Sequence, residues 1–332
     1  MKSVILLAGL GTRLRPHTWS KPKPLVQVAG KPVLGHILDS LAGLDIDETI
    51  FIVGYMGDQI QRWVSEHYPN LRARYVEQPE MKGQAHAINL ARDYIDQPVL
   101  IIFGDTIWET DFTRLKQVKN DGLIYVKEVD DPRRFGVATL KDGFVTKFVE
   151  KPTTPISNLA VVGVYYFHAW QKLLQSIDDL IARNIQLKGE YFLADAMQLM
   201  ISGGAKLEVE TIPVWEDCGT PQAILKTNRY LLQKHSHARD IDGSVILPPV
   251  FISPTAQINN SIVGPYVSIS DDAVIENSIL RDCIISEGAR IDNAIMESSL
   301  IGKEAHVHGA SEKLNVGDSS EIDFSGNAKN NS

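Results

Sequence analysis

Cysteine is scarce. Cys218 and Cys283 are the only two in 332 residues, and they stand far apart, so neither a disulfide framework nor a cysteine-based metal site is implied. Basic charge is not in excess either: 33 lysines and arginines face 41 acidic residues, for a net charge of −8. That balance argues against a face for nucleic acid or an anionic membrane. No apolar run approaches the about 20 residues of a membrane span. The apolar start soon meets glycine and arginine, unlike a secretory signal. A soluble cytoplasmic protein is expected. Two phosphate motifs are also missing. A dinucleotide fingerprint would need glycine at position 14, which is Leu14, and the Gly-Lys-Ser/Thr of a Walker A loop does not occur.

What is present is concentrated in Val4 to Pro32, VILLAGLGTRLRPHTWSKPKPLVQVAGKP. Val4 to Ala8 reads as a buried strand. Gly9-Leu10-Gly11-Thr12 then forms a loop whose backbone amides can approach an anion. Arg13, Lys21, Lys23 and Lys31 follow, spaced by Pro16, Pro22, Pro24 and Pro32. Fixed cations on a proline-stiffened loop suit a polyphosphate.

The ordered set GxGTRLxPxTxxxPKPLxxVxGKP resembles the signature of sugar-1-phosphate nucleotidyltransferases. It runs through Gly9, Gly11, Thr12, Arg13, Leu14, Pro16, Thr18, Pro22, Lys23, Pro24, Leu25, Val28, Gly30, Lys31 and Pro32. The resemblance implies nucleotide contacts at Ala8, Gly9, Gly11, Thr12 and Arg13, and catalytic roles for Arg13 and Lys23. Leu7 departs from the family's more frequent alanine and should slightly reshape the loop floor.

Strand-like and helix-like runs alternate through the first two thirds. Helices are expected over 33–44, 58–68 and 83–95, and strands over 49–53, 72–76 and 99–103. This pattern predicts an α/β fold with a mostly parallel mixed sheet, whose ligands sit at the carboxyl ends of the strands. Each loop after a strand is therefore a candidate site. Glu77-Gln78-Pro79, reaching Gly83, resembles the base-reading segment. Gln78 would meet a pyrimidine edge with an amide that both donates and accepts, and Gly83 would leave room for the base. Asp105 ends the most apolar strand, where a carboxylate can hold Mg²⁺ alongside substrate phosphates. Trp215-Glu216-Asp217-Cys218-Gly219-Thr220 resembles the family's WxDxGT, with Asp217 the second metal ligand and Cys218 at a variable position.

The sugar half lies between them. Lys141-Asp142-Gly143 reads as a hairpin turn. Phe135-Gly136-Val137 and Glu150-Lys151-Pro152 resemble family segments in which the Gly136 amide and Glu150 meet the sugar and Lys151 its phosphate. Asn158 to Phe167 resembles the next sugar-binding strand, with Val161, Gly163 and Tyr165 on the ligand side; Trp215 is counted with this group. Asp195 sits in a region often acidic in the family and receives no role.

After a linker at 235–243 the sequence turns periodic. Ala256, Ala273, Ala289 and Ala305 recur at spacings of 17, 16 and 16, each followed two residues later by Ile258, Ile275, Ile291 or Val307. Asn260, Asn277 and Asn293 hold one equivalent place. Such a period signals a parallel β-helix and resembles the left-handed hexapeptide-repeat kind. The expected division is a Rossmann-like nucleotidyltransferase domain over 1–235, the β-helix over 236–318 and a polar tail over 319–332.

The resemblance implies an enzyme that makes an NDP-sugar and pyrophosphate from a nucleoside triphosphate and a sugar-1-phosphate. Mg²⁺ would be held by Asp105 and Asp217, and dTTP or UTP with glucose-1-phosphate would be the favoured pair. Alternatives are guanylyl or adenylyl transfer, a non-catalytic regulatory subunit, or an acyltransferase carried by the β-helix. All proposed catalytic residues precede Thr220, so a chain ending near His235 is expected to keep activity while losing part of a homo-oligomer.

Overall fold

The computed structural model describes residues 1–154, 156–309 and 314–323. They form two compact units, Met1–Leu10 with Ile37–Trp215, and Gly11–His36 with the chain from Glu216 onward.

The first unit is built on a nine-stranded sheet. Its strands are β1 (Lys2–Leu6), β2 (Glu48–Val53), β3 (Ala73–Glu77), β4 (Val99–Phe103), β5 (Gly122–Glu128), β6 (Gly136–Lys141), β7 (Phe144–Glu150), β8 (Leu159–Phe167) and β9 (Leu207–Thr211). Their spatial order is β3-β2-β1-β4-β8-β5-β9-β7-β6. The first four are mutually parallel. Beyond them β8 runs antiparallel to β4 and β5, and β7 antiparallel to β9 and β6. The change of direction follows from the hairpin between β6 and β7, where Asp142 and Gly143 both take positive φ, as a two-residue turn of the primed type requires.

After the helix α1 (Val33–Ser40), helices α2 (Gly57–His67), α3 (Gln84–Leu90), α4 (Trp170–Ala182) and α5 (Leu193–Ser202) belong to this unit. Val4, Ile50, Ile101, Ile124, Leu173, Ile177 and Met197 meet in one apolar core. The single helix expected over 83–95 is broken: α3 ends at Leu90 and a 3₁₀ turn covers Arg92–Tyr94. No helix among the described residues is long and apolar enough to cross a membrane.

The second unit holds the signature loop, the helix Pro221–Lys234 and three stacks of short parallel strands. These stacks are of the left-handed β-helix kind. Ile258, Ile275, Ile291, Val307 and Ile322 lie in register along one stack, and the first four are buried. Asn260, Asn277 and Asn293 have φ between 46° and 52°, the left-handed corner conformation that asparagine tolerates better than most residues. Residues beyond the expected boundary at 318 still build the solenoid, since Glu321–Asp323 pairs with His306–His308; residues 324–332 of the expected tail lie outside the described residues. The compact units also cut across the expected division at 235, because Gly11–His36 groups with the β-helix.

Candidate active site

In the first unit the loops after the parallel strands converge. Gly104 N–H donates to the Leu6 carbonyl at 3.1 Å. A Cβ on Gly104 would lie 2.1 Å from Leu7 Cδ2, and one on Gly54 would lie 2.9 Å from the Ala8 carbonyl oxygen. Leu7, the departure noted in the sequence, thus lies against the turn that carries Asp105. Gly9 has open space where a side chain would stand, which suits close approach of a ligand to its backbone.

Gln78 follows β3 and is 5 % exposed. Its Nε2 donates to the Gly83 carbonyl at 3.1 Å and lies 3.4 Å from His86 Nδ1. The amide is therefore already oriented by its own loop. Gly83 has φ 89°, and a Cβ there would sit 2.4 Å from the Tyr191 carbonyl oxygen. Glycine is required by conformation and by space. This contact also brings the segment around Glu190 beside the Gln78–Gly83 loop, a proximity the sequence pattern does not show.

Three of the residues expected at the sugar meet directly. A Cβ on Gly136 would lie 2.8 Å from Glu150 Oε2 and 3.0 Å from Val161 Cγ2. Lys151 takes φ 45°, and its Nζ is 3.3 Å from Glu150 Oε1. In β8 the pairing with β5 shifts between Val161 and Tyr165, and Gly163 at φ 84° packs against Phe103. Two extra residues of β8 stand in this shift, and Val161 and Tyr165, opposite Val126 and Ile124, keep one face. Tyr165 is wholly buried; burial first, then the negative charges of Glu150 and Asp105, drive its phenol far above its usual range. Those two carboxylates are thus within electrostatic reach of one ring. Burial, and then Glu150, also hold the Asp195 carboxyl above its ordinary value. Asp195 belongs to this cluster, and only the fold reveals it. Trp215 stacks edge-on against Phe135 with centroids 4.8 Å apart. Its buried indole N–H has no hydrogen-bond partner among the described residues, and such a donor calls for an explanation.

In the second unit Gly11 takes φ 62°, and a Cβ on it would lie 2.9 Å from Lys23 Cβ. Thr18 Oγ1 donates to the Gly11 carbonyl at 2.9 Å and closes the loop. Thr12, Arg13 and Leu14 form one 3₁₀ turn and Lys23, Pro24 and Leu25 another. A Cβ on Gly219 would meet Arg13 Nη2 and Asp217 Oδ1, each at 2.8 Å. The structure thus gathers Arg13 and Asp217 around one glycine. Asp217 Oδ1 accepts the Gly219 N–H at 2.8 Å, and Thr220 caps the following helix by accepting from the Ala223 N–H at 3.2 Å. Cys218 is buried.

The model of the family described as nucleotidyl transferase matches residues 2–234, which include every one of these positions. The chain belongs to the nucleotidyl transferase family. This nucleotidyl transferase is 36 % identical over 246 residues to the bifunctional protein GlmU of Methanocaldococcus jannaschii, a match covering 74 % of this chain and 57 % of that one. It is 35 % identical over 235 residues to the UTP–glucose-1-phosphate uridylyltransferase AglF of Haloferax volcanii, covering 67 % of this chain and 93 % of that one. Among solved structures, a Bacillus anthracis protein, a candidate glucose-1-phosphate thymidylyltransferase in complex with sucrose, aligns with a TM-score of 0.62 at 28 % identity, over 72 % of this chain and 98 % of that one. The match thus spans little more than half the length of the GlmU relative.

The nucleotidyl transferase offers hard carboxylate oxygens at Asp105 and Asp217, the donors that Mg²⁺ prefers. No three His, Cys, Asp or Glu side chains form a metal-holding group among the described residues. Each carboxylate by itself is the kind of donor that an ion takes when substrate phosphates and water fill the rest of its shell.

Proposed function

We propose that this nucleotidyl transferase condenses a nucleoside triphosphate with a sugar-1-phosphate, and that dTTP or UTP with glucose-1-phosphate is its preferred pair. A phosphate oxygen of the sugar phosphate attacks the α-phosphorus in line. The bond from that phosphorus to the bridging oxygen breaks, and pyrophosphate leaves with the electron pair. Such a transfer needs positioning and charge neutralisation more than a covalent nucleophile.

Arg13 and Lys23 neutralise the triphosphate, with the Ala8 to Thr12 backbone around it. Lys151 holds the attacking phosphate. Glu150 and the Gly136 amide take sugar hydroxyls beside Val161 and Tyr165, and the Trp215 N–H is a donor suited to the sugar phosphate. Asp105 and Asp217 would hold Mg²⁺, which when bound draws charge off the phosphate oxygens. The observation that carries this reading is the meeting of Gly136, Glu150 and Val161, with the charge of Asp105 felt at the adjoining Tyr165.

The pyrimidine preference rests on Gln78, whose amide is buried and fixed beside Gly83. Pyrophosphate release with dTTP, UTP, ATP and GTP, each against glucose-1-phosphate and N-acetylglucosamine-1-phosphate, tests it. The pyrimidine nucleotides should lead, and Gln78→Ala should narrow their advantage by roughly 1–3 kcal/mol, the cost of an unmade buried hydrogen bond. Efficient use of GTP by the native protein would overturn the base assignment in favour of guanylyl transfer.

A homo-oligomer is part of the same proposal. Val245, Ile262, Ile279 and Ile295 pair in register along one β-helix sheet and are 36–56 % exposed. One apolar side chain per coil on a flat face suits a second copy of the chain.

A further inference from the structure

We propose that Glu287, on the β-helix, is a positioning residue for the triphosphate-binding loop. The inference rests on the pyrophosphorylase reading above, and it assigns to the solenoid a part in the reaction. Lys21 Nζ donates to Glu287 Oε2 at 3.0 Å and Gln27 Nε2 donates to Oε1 at 2.9 Å. One carboxylate therefore ties the two ends of the segment 21–27. Between them stands the 3₁₀ turn Lys23–Leu25, with Lys23 buried. Gln27 is held from its other side too, since its Oε1 accepts from Ser270 Oγ at 2.7 Å. That serine belongs to the preceding coil.

The chain between the clamps is stiff. Pro22 and Pro24 flank Lys23 and lock φ on either side of it, so a shift at Lys21 or Gln27 is passed to Lys23 rather than absorbed. The upstream part of the loop is tied to later coils by His17 Nε2 and Asn315 Oδ1 at 2.6 Å, and by Ser20 with Asp318. Glu287 also neutralises Lys21, which removes that cation from the set available to the triphosphate and leaves Lys23 as the cation the clamp aims. The Lys21 and Glu287 side chains are 21 % and 28 % exposed. A pair this far withdrawn from solvent is only partly screened and holds its geometry, and small misplacements in a phosphoryl-transfer site are costly in rate.

The test uses the full-length protein with Glu287→Ala, Glu287→Gln and, as a control on another acidic residue of the solenoid, Glu276→Gln. Steady-state pyrophosphate release and amide hydrogen exchange are read together. Glu287→Ala should lower kcat about tenfold or more with a smaller change in the KM for nucleotide. It should speed exchange across 11–28 while the β-helix core strands stay protected. Glu287→Gln keeps an acceptor oxygen for Gln27 but loses the charge opposite Lys21, and should recover part of the lost rate; Glu276→Gln should match the wild type. A Glu287→Ala kcat within about twofold of wild type and unchanged exchange in the loop would overturn the proposal. Equal loss of protection throughout the β-helix, or no recovery with Glu287→Gln, would overturn it as well, by making Glu287 a folding residue. A wild type that releases no pyrophosphate would sink the underlying reading instead, and the exchange data would still judge the clamp.

Discussion

Asp105→Asn and Asp217→Asn should each lower turnover by orders of magnitude and leave the fold intact. The first half of that expectation comes from charge. An ion bound between phosphates and one or two carboxylates loses an anionic hard ligand when aspartate becomes asparagine. The second half comes from the local structure. Asp105 follows a strand whose residues Val99 to Ile102 are completely buried, so the core anchors the position. At Asp217 the side-chain oxygen accepts the Gly219 N–H, and an asparagine oxygen can take the same bond, so the turn into the helix Pro221–Lys234 should persist. Thermal melts close to wild type with kcat reduced at saturating Mg²⁺ would meet the prediction. Near-normal kcat in either variant would remove that residue from the mechanism.

A chain ending at His235 should be nearly inactive although its sheet remains folded. The sequence alone suggests the opposite, because every proposed catalytic residue precedes Thr220. The structure changes the expectation through the partners of the signature loop. Gly30, at φ 82°, sits so close to the Phe251 ring that a Cβ would lie 2.4 Å from it. Pro16 lies against Gly317, and His17, Lys21 and Gln27 are bound by Asn315 and Glu287. The helix Pro221–Lys234 depends on the solenoid as well, through Arg229 on Asp282 and Asn228 on Tyr266 and Ser268. Removing the β-helix strips all of these at once, and a loop misplaced by about 1 Å can cost about 10²-fold in rate. Truncated protein that keeps far-UV circular dichroism of the sheet but loses at least 10²-fold in kcat would agree. Truncated protein with near-normal kcat would show that the loop stands without the β-helix, and light scattering of the same sample reports the assembly.

Local chemistry made part of this legible in advance. The glycine and proline order of the first loop, the Asp142-Gly143 turn and the aspartate at the end of the most apolar strand are each read from neighbours in sequence. The isoleucine ladder is legible because a solenoid repeats its core position every coil. What escaped depends on partners far along the chain. The His17–Asn315 pair spans 298 positions, and nothing periodic connects them. Asp195 joins Glu150 only once α5 lies beside the strand that carries it. The bulge at Gly163 is invisible to a count of alternating residues, because its two extra residues leave the alternation on either side unchanged. The break in α3 after Leu90 is likewise set by packing, since Ala91 is fully buried at the kink and carries no helix-breaking side chain.

The most direct measurement is pyrophosphate formation by the purified full-length protein, followed with Mg²⁺, dTTP or UTP and glucose-1-phosphate, with each substrate also omitted in turn. Pyrophosphate and nucleotide-sugar should form in equal amounts, and only when nucleotide and sugar phosphate are both present. Pyrophosphate formed without the sugar phosphate, or none formed with any nucleotide and sugar-phosphate pair, would contradict it.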